Sequence, residues 1–279
     1  MKKTIFIILM IIGVIVTLSV LLYPTLSDYI NAQRQSRVVT DYVDEVNNLK
    51  DDERHALLDA AHEYNANLLK NPNRYLFTEE DTKAYEQMLD VGSGVMGILE
   101  IDKIGVKLSI YHGTSEGVLQ VGLGHFQGSS LPVGGLGTHA IITGHRGLPS
   151  SKLLTNLDKV KEGDTFTIYV LGETLTYQVD DIKTVEPADV QSLNIERDQD
   201  YCTLVTCTPY GINTHRLLVR GHRIPNAPNA DWHSLYAGVS LLDLILVILI
   251  FMTPVLPFVI LYIILKCRKI HKKGGNVCR

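Results

Sequence analysis

Two long uncharged runs bracket this chain, so whatever folds between them is expected to be held at a membrane. Lys2 and Lys3 precede an apolar run from Ile5 to Tyr23, which Pro24 closes. A second run spans Val239 to Leu265, interrupted by Asp243, Pro254 and Pro257, and Lys266, Arg268, Lys269, Lys272 and Lys273 follow it at once. Each run approaches the roughly 20 residues that a helix needs to cross a bilayer. The first is longer than the roughly 7–15 residue core of a signal peptide and shows no A-x-A cleavage site, so it reads as a retained anchor. Basic residues beside each run put both termini in the cytoplasm, with only Arg34 and Arg37 opposing that orientation. The organisation expected is an N-terminal span over 1–27, a helical region over 28–94, a β domain over 95–230, a linker and second span over 231–265, and a basic tail over 266–279.

The stretch between the runs changes character once. Val38, Tyr42, Val46 and Leu49, then Leu57, Leu58, Ala61 and Leu68, fall at helical spacing. The acidic triplet Asp51-Asp52-Glu53 suits the positive end of a helix dipole. Two amphipathic helices are therefore expected. From Val95 the pattern becomes short alternating strands: VMGILEI, KLSIY, THAIIT, DTFTIYVL, TLTYQVD, IKTVE and a final pair, with a tight turn at Gly172-Glu173. About eight short strands with few long helices predict a mainly β, antiparallel-rich barrel. The scattered glycines of Gly122 to Gly137 lack the strand-to-helix setting of a phosphate loop.

The final pair of strands, within Tyr201 to Arg223, carries the chemistry. Cys207 ends one strand, Pro209 and Gly211 mark a turn, and Arg216 opens the next. A lone cysteine in a strand is commonly a small buried hydrophobe. Beside a cation, however, its thiolate is favoured and it becomes a nucleophile. Arg216 cannot lose its proton, so it serves not as a base but as a fixed donor to an oxyanion. An acid or base is still required. His112, His125, His139, His145, His215 and His222 all compete for that role, and spacing does not choose among them. His145 has the strongest local context, following THAIIT in the loop Gly144-His145-Arg146-Gly147. His215, adjoining Arg216, should face the other side of its strand and reads as structural.

Of the four cysteines, Cys202 and Cys207 differ by an odd number along one strand and should point to opposite faces, which disfavours a disulfide. Cys267 and Cys278 sit in or beyond the basic tail and receive no role. No CxxC, His/Cys or EF-hand-like spacing is present, so no metal or cofactor is expected. The formal net charge of −4 gives no sign of nucleic-acid binding.

TLVTC, with Arg216 in NTHR, resembles the signature of sortases, cysteine transpeptidases that attach proteins to Gram-positive cell surfaces. The run TCTPYGINTHRLLVRG is similar to the class C, pilin-polymerising branch, and Thr143-Gly144-His145 resembles the sortase TGH motif. The resemblance implies an eight-stranded sortase barrel with His145, Cys207 and Arg216 as catalytic residues. It also implies pilin precursors or surface proteins with LPxTG-like signals as substrates, and a lysine of another pilin as acceptor. Anchoring to peptidoglycan, as in accessory or housekeeping sortases, is the alternative within the family. A membrane-tethered binding module with a dead site is the alternative outside it. Class C members carry an Asp-Pro-aromatic lid ahead of the barrel. This chain has Asn71-Pro72-Asn73 instead, with Tyr75 and Phe77 nearby, and a mobile, weakly anchored flap is expected there.

Overall fold

A computed structural model describes residues 2–226 together with Trp232 and Leu235. The expected second span, the basic tail, Cys267 and Cys278 lie outside the described residues. The first helix, α1 (Lys2–Asn48), runs through Pro24 instead of ending there. A proline inside a helix removes one hydrogen bond and crowds one carbonyl, which can be absorbed without stopping the helix when helix-forming sequence lies on both sides. Among the described residues one helical stretch, Ile12–Asn48, is long and apolar enough to cross a membrane. Residues before Ile30 form a separate unit from the one that follows.

In the second unit, α1 contributes Val39, Tyr42, Val43 and Val46 to a buried face. Helix α2 (Asp51–Leu68) starts at the acidic triplet and buries Ala61, Asn65 and Leu68. Asn65 is the polar exception, and it is satisfied on both ends of its amide. Its Nδ2 donates to the Leu131 carbonyl at 3.1 Å and its Oδ1 accepts from Leu131 N–H at 2.7 Å. Helix α3 (Glu79–Glu86) is opened by Thr78, whose hydroxyl accepts from the Asp81 amide while the Asp81 carboxylate accepts from the Thr78 amide.

Eight strands close a barrel in the order β1-β2-β3-β4-β7-β8-β6-β5. They are β1 (Val95–Ile101), β2 (Val106–His112), β3 (Leu123–His125), β4 (Thr138–Thr143), β5 (Thr165–Val170), β6 (Glu173–Val185), β7 (Asp200–Thr208) and β8 (His215–Ile224). A short helix, α4 (Glu116–Val121), joins β2 to β3. The pairs β2–β3 and β4–β7 are parallel, and the rest are antiparallel. Closure leaves no exposed sheet edge. Strand alternation fills the interior: Ala140 and Ile142 of β4, Cys202 and Leu204 of β7, and Leu217 and Val219 of β8 join the main core. Their alternates Ile141 and Leu218 instead join a second apolar cluster with Leu193, against which Phe126, Val185 and Val205 pack.

The β5–β6 turn is Leu171-Gly172, one residue earlier than expected, with φ of 47° and 83°. Paired positive φ values suit the twist of a two-residue hairpin, and glycine tolerates them at no steric cost. The non-glycine member is held from outside, because the Leu171 amide donates to Tyr42 Oη at 3.1 Å while that hydroxyl donates to the Met96 carbonyl at 3.1 Å. One phenol thus ties α1 to β1 and to the hairpin. Tyr42→Phe would bury two unpaired backbone groups, and unfolding measurements should show a loss of about 1–3 kcal/mol. An unchanged midpoint would mean that those groups find other partners.

Candidate active site

The β7–β8 hairpin pairs Cys207 with Arg216 in register, so the two side chains leave the same face of adjacent strands. Cys207 is a free, half-buried thiol at the strand's end. Arg216 is half-buried too, and its Nη1 donates to the carbonyls of Asn213 and His215 at 3.4 and 3.2 Å. Those contacts hold the guanidinium within its own turn and leave it donors to spare.

On the other side of β7, strand β4 runs parallel, with Thr143 opposite Val205. The pairing continues past the end of β4. Gly144 N–H donates to the Val205 carbonyl at 3.0 Å, and Thr206 Oγ1 donates to the Gly144 carbonyl at 2.8 Å. His145 therefore emerges two positions beyond Thr143, alongside Cys207 two positions beyond Val205. The structure brings the three expected residues to adjacent ends of three neighbouring strands.

A glycine before His145 has a steric reason. A Cβ at Gly144 would sit 2.5 Å from Leu123 Cδ2 and 3.0 Å from Leu154 Cδ1, and both leucines are fully buried. Gly144→Ala should cost about 1–3 kcal/mol through overpacking. It should also lower turnover by displacing the adjacent imidazole, which a kinetic assay beside an unfolding curve would separate from simple loss of folded protein.

Burial separates the competing histidines. His125 and His139 are inside, and each has both ring nitrogens engaged by protein groups. His112 Nε2 is bonded to the Met88 carbonyl at 2.6 Å, and His222 Nδ1 lies 3.6 Å from Asp180. His215, expected to be structural, is exposed, with its ring beside the Thr214 hydroxyl. The offset from Arg216 is as expected, but at a strand's first residue the opposite face is solvent. His145 is half-buried, its Nε2 is enclosed without a hydrogen-bond partner, and Glu116 Oε1 of α4 lies 3.5 Å from it. Cys202 lies on the interior face with no exposure, and burial pushes its thiol well above the ordinary range, which removes it as a nucleophile.

Sequence reasoning missed Arg146. Its side chain is 8% exposed, Nη2 is 2.6 Å from Asp158, and Nη1 donates to Thr208 Oγ1 at 3.3 Å. The guanidinium lies 6.0 Å from the Tyr210 ring. It thereby ties the loop carrying His145 to the residue following Cys207. Its place within Gly144-His145-Arg146-Gly147 was the only available signal.

The face that carries Cys207 continues along the strand through Val205 to the second apolar cluster, a hydrophobic floor leading away from the thiol on the side of the sheet opposite the barrel interior. At that floor the segment before α3 is tied down, contrary to the weakly anchored flap expected. Arg74 Nη2 donates to the Leu193 carbonyl at 3.2 Å and its guanidinium lies over Tyr75 at 4.8 Å, while Tyr75 packs on Phe126 with centroids 5.7 Å apart. Gly128 lies so close beneath that a Cβ there would come within 2.3 Å of the Arg74 carbonyl. An arginine and a tyrosine tilted against Phe126 supply this anchorage without an Asp-Pro-aromatic triplet.

Residues 99–224 match the Sortase domain family. Sortase C1 from Streptococcus agalactiae is similar in structure, with 50% identity and a TM-score of 0.67, the match covering 68% of this chain and 100% of that one. Sortase C from Streptococcus pneumoniae shares 45% identity with a TM-score of 0.63, over 69% of this chain and 99% of that one. Sortase D of Bacillus subtilis is 27% identical over 131 residues, a match that spans 46% of this chain and 63% of that relative. With its closed barrel and a solved relative matched over its full length, the chain belongs to the sortase family, whose members are cysteine transpeptidases.

Proposed function

We propose that this chain is a membrane-anchored pilin-polymerising transpeptidase, with Cys207 as nucleophile, His145 as acid and base, and Arg216 as oxyanion donor. The observation that carries the reading is the register of Cys207 with Arg216 beside the Gly144-His145 end of β4. Cys207 Sγ attacks the carbonyl between Thr and Gly of an LPxTG-like sorting signal. Negative charge develops on the carbonyl oxygen, and the planar guanidinium of Arg216 stabilises it. As the tetrahedral intermediate collapses, the C–N bond breaks and the leaving glycine amine takes a proton from the His145 imidazolium. The neutral imidazole then receives a proton from an incoming lysine amine as that amine attacks the thioester carbonyl; the C–S bond breaks and the sulfur leaves as thiolate beside the regenerated imidazolium. One amide is broken and one is formed, so no nucleotide is consumed, which suits a site outside the membrane.

The apolar floor beyond Cys207 offers a surface for the Leu-Pro part of such a signal. The solved streptococcal relative is described in terms of pilin substrate specificity, which favours a pilin partner here as well. Two spans with both termini cytoplasmic would hold the catalytic unit outside the cell. A precursor anchored in the same membrane would then be searched for in a plane, at raised effective concentration. The test is product analysis with the full chain in membranes, a precursor bearing an LPxTG-like signal, and a lysine-bearing pilin. The expected product is an isopeptide bond between threonine and lysine. Hydrolysis alone, or transfer solely to a peptidoglycan amine, would overturn the assignment.

A further inference from the structure

Helix α4 has a sequence feature that its short length does not require. Ser115 caps it, its hydroxyl accepting from the Val118 amide, so Glu116 falls in the first turn. Gln120, one turn on, donates from Nε2 to Glu116 Oε1 at 2.6 Å and restrains the carboxylate. The same Oε1 lies 3.5 Å from His145 Nε2, a buried nitrogen with no hydrogen-bond partner of its own. An enclosed imidazole nitrogen with one held carboxylate beside it gains electrostatically when it carries a proton. From the geometry we infer that Glu116 is a positioning residue, holding His145 oriented and favouring its imidazolium form for proton delivery to the leaving amine.

The inference rests on the catalytic reading of His145. Ionisable groups on the elements beside the His145 loop are Cys207 at the end of β7, Arg216 opposite it on β8, and the Arg146–Asp158 pair, whose arginine lies in the histidine's own loop. Glu116 is the carboxylate facing Nε2, and its own acidity is strengthened, first by the Gln120 hydrogen bond and then by His145. Its side chain is 71% exposed, so solvent and salt screen the pair and its effect is modest. This modesty suits a group that must release its proton in every cycle.

The test is Glu116→Gln, which keeps the shape and a hydrogen bond to Gln120 while removing the charge. In the full chain in detergent, the His145 imidazole is followed by NMR across pH, and turnover is measured over the same range. The titration midpoint and the alkaline limb of the kcat profile should both move down, by the same amount, with KM unchanged. Both shifts should shrink at about 1 M salt, and Glu116→Asp should recover part of them. A midpoint unmoved in Glu116→Gln, or a fall in activity that neither pH nor salt modulates, would overturn the proposal. The NMR midpoint reads the pair directly, so a shifted midpoint in a protein that makes no transpeptidation product would count against the catalytic reading and leave the pair standing.

Discussion

Arg216→Lys is expected to lower kcat by about two to three orders of magnitude with little change in folded stability. Cys207→Ala is expected to abolish acyl-enzyme formation altogether. The arginine effect follows from shape as much as charge. Lysine keeps the positive charge, but it is a point donor on a flexible stem and cannot reproduce a planar fork aimed at an oxyanion. Losing one well-placed donor to a developing oxyanion typically costs about 10²–10³ in kcat. The guanidinium is held within its own turn by the Asn213 and His215 carbonyls, on the strand paired with Cys207, a geometry that a lysine ammonium would not keep. Stability should be nearly unaffected, because these two contacts lie in an exposed turn. Single-turnover kinetics with an LPxTG peptide, and mass spectrometry of the trapped thioester, read the two variants separately. Full activity in Arg216→Lys would remove the guanidinium from the mechanism. A thioester that persists in Cys207→Ala would place the nucleophile elsewhere.

The hairpin that carries these residues was readable in the sequence because its pairing is local. Cys207 and Arg216 are joined by a short loop marked by Pro209 and Gly211, and alternation fixes which residues share a face. His145 was different, since its approach to Cys207 depends on the parallel β4–β7 pair. The Thr206–Gly144 hydrogen bond there links positions 62 apart in sequence. No local pattern encodes such a pairing, so family resemblance had to choose the histidine. The count of eight strands came from two offsetting errors. Strand β3 is only Leu123–His125, too short among its glycines to show alternation. Strand β6, by contrast, reads as two strands because its alternation slips at a bulge between Val179 and Asp181. The extra residue there, Asp180, accepts two hydrogen bonds from Arg220, at 3.0 and 3.1 Å. The bulge is thus a contact the chain uses, visible only once β6 and β8 are paired. Pro24 misled for the reverse reason, since the local rule was sound but the helical sequence on either side overrode it.

The two interior histidines make acid the condition under which this fold should fail first. Burial pushes His125 down to about 4, and it pushes His139 to about 4 with Arg220 adding to the effect. The hydrogen bonds show why a second proton is unwelcome. In neutral His125, Nε2–H donates to the Ser130 carbonyl at 2.8 Å while Nδ1 accepts from Tyr85 Oη at 2.8 Å. In neutral His139, Nδ1–H donates to the Asn194 carbonyl at 2.8 Å while Nε2 accepts from the Thr203 hydroxyl at 2.7 Å. A proton on either accepting nitrogen must turn the facing hydroxyl from donor to acceptor and place a charge in the interior. The unfolded chain binds these protons near pH 6.5, so below that value it holds more of them than the native state, and stability falls as pH falls. Each imidazole contributes a slope approaching about 1.4 kcal/mol per pH unit down to about 4. Between pH 7 and 5 the pair should remove about 3–4 kcal/mol, a large part of an ordinary domain's stability. Asp200, raised by its own burial, acts with the opposite sign as pH falls toward the carboxylate range. Asp81 and Asp164, held low by hydrogen bonds, lose their contribution only in stronger acid. Denaturant unfolding in detergent at several pH values should therefore show a midpoint that drops steeply below pH 6.5. His139→Gln should be less stable at pH 7 yet lose stability more slowly toward pH 5. A wild-type midpoint that stays level from pH 7 to 5 would mean that these imidazoles are not held neutral by the fold.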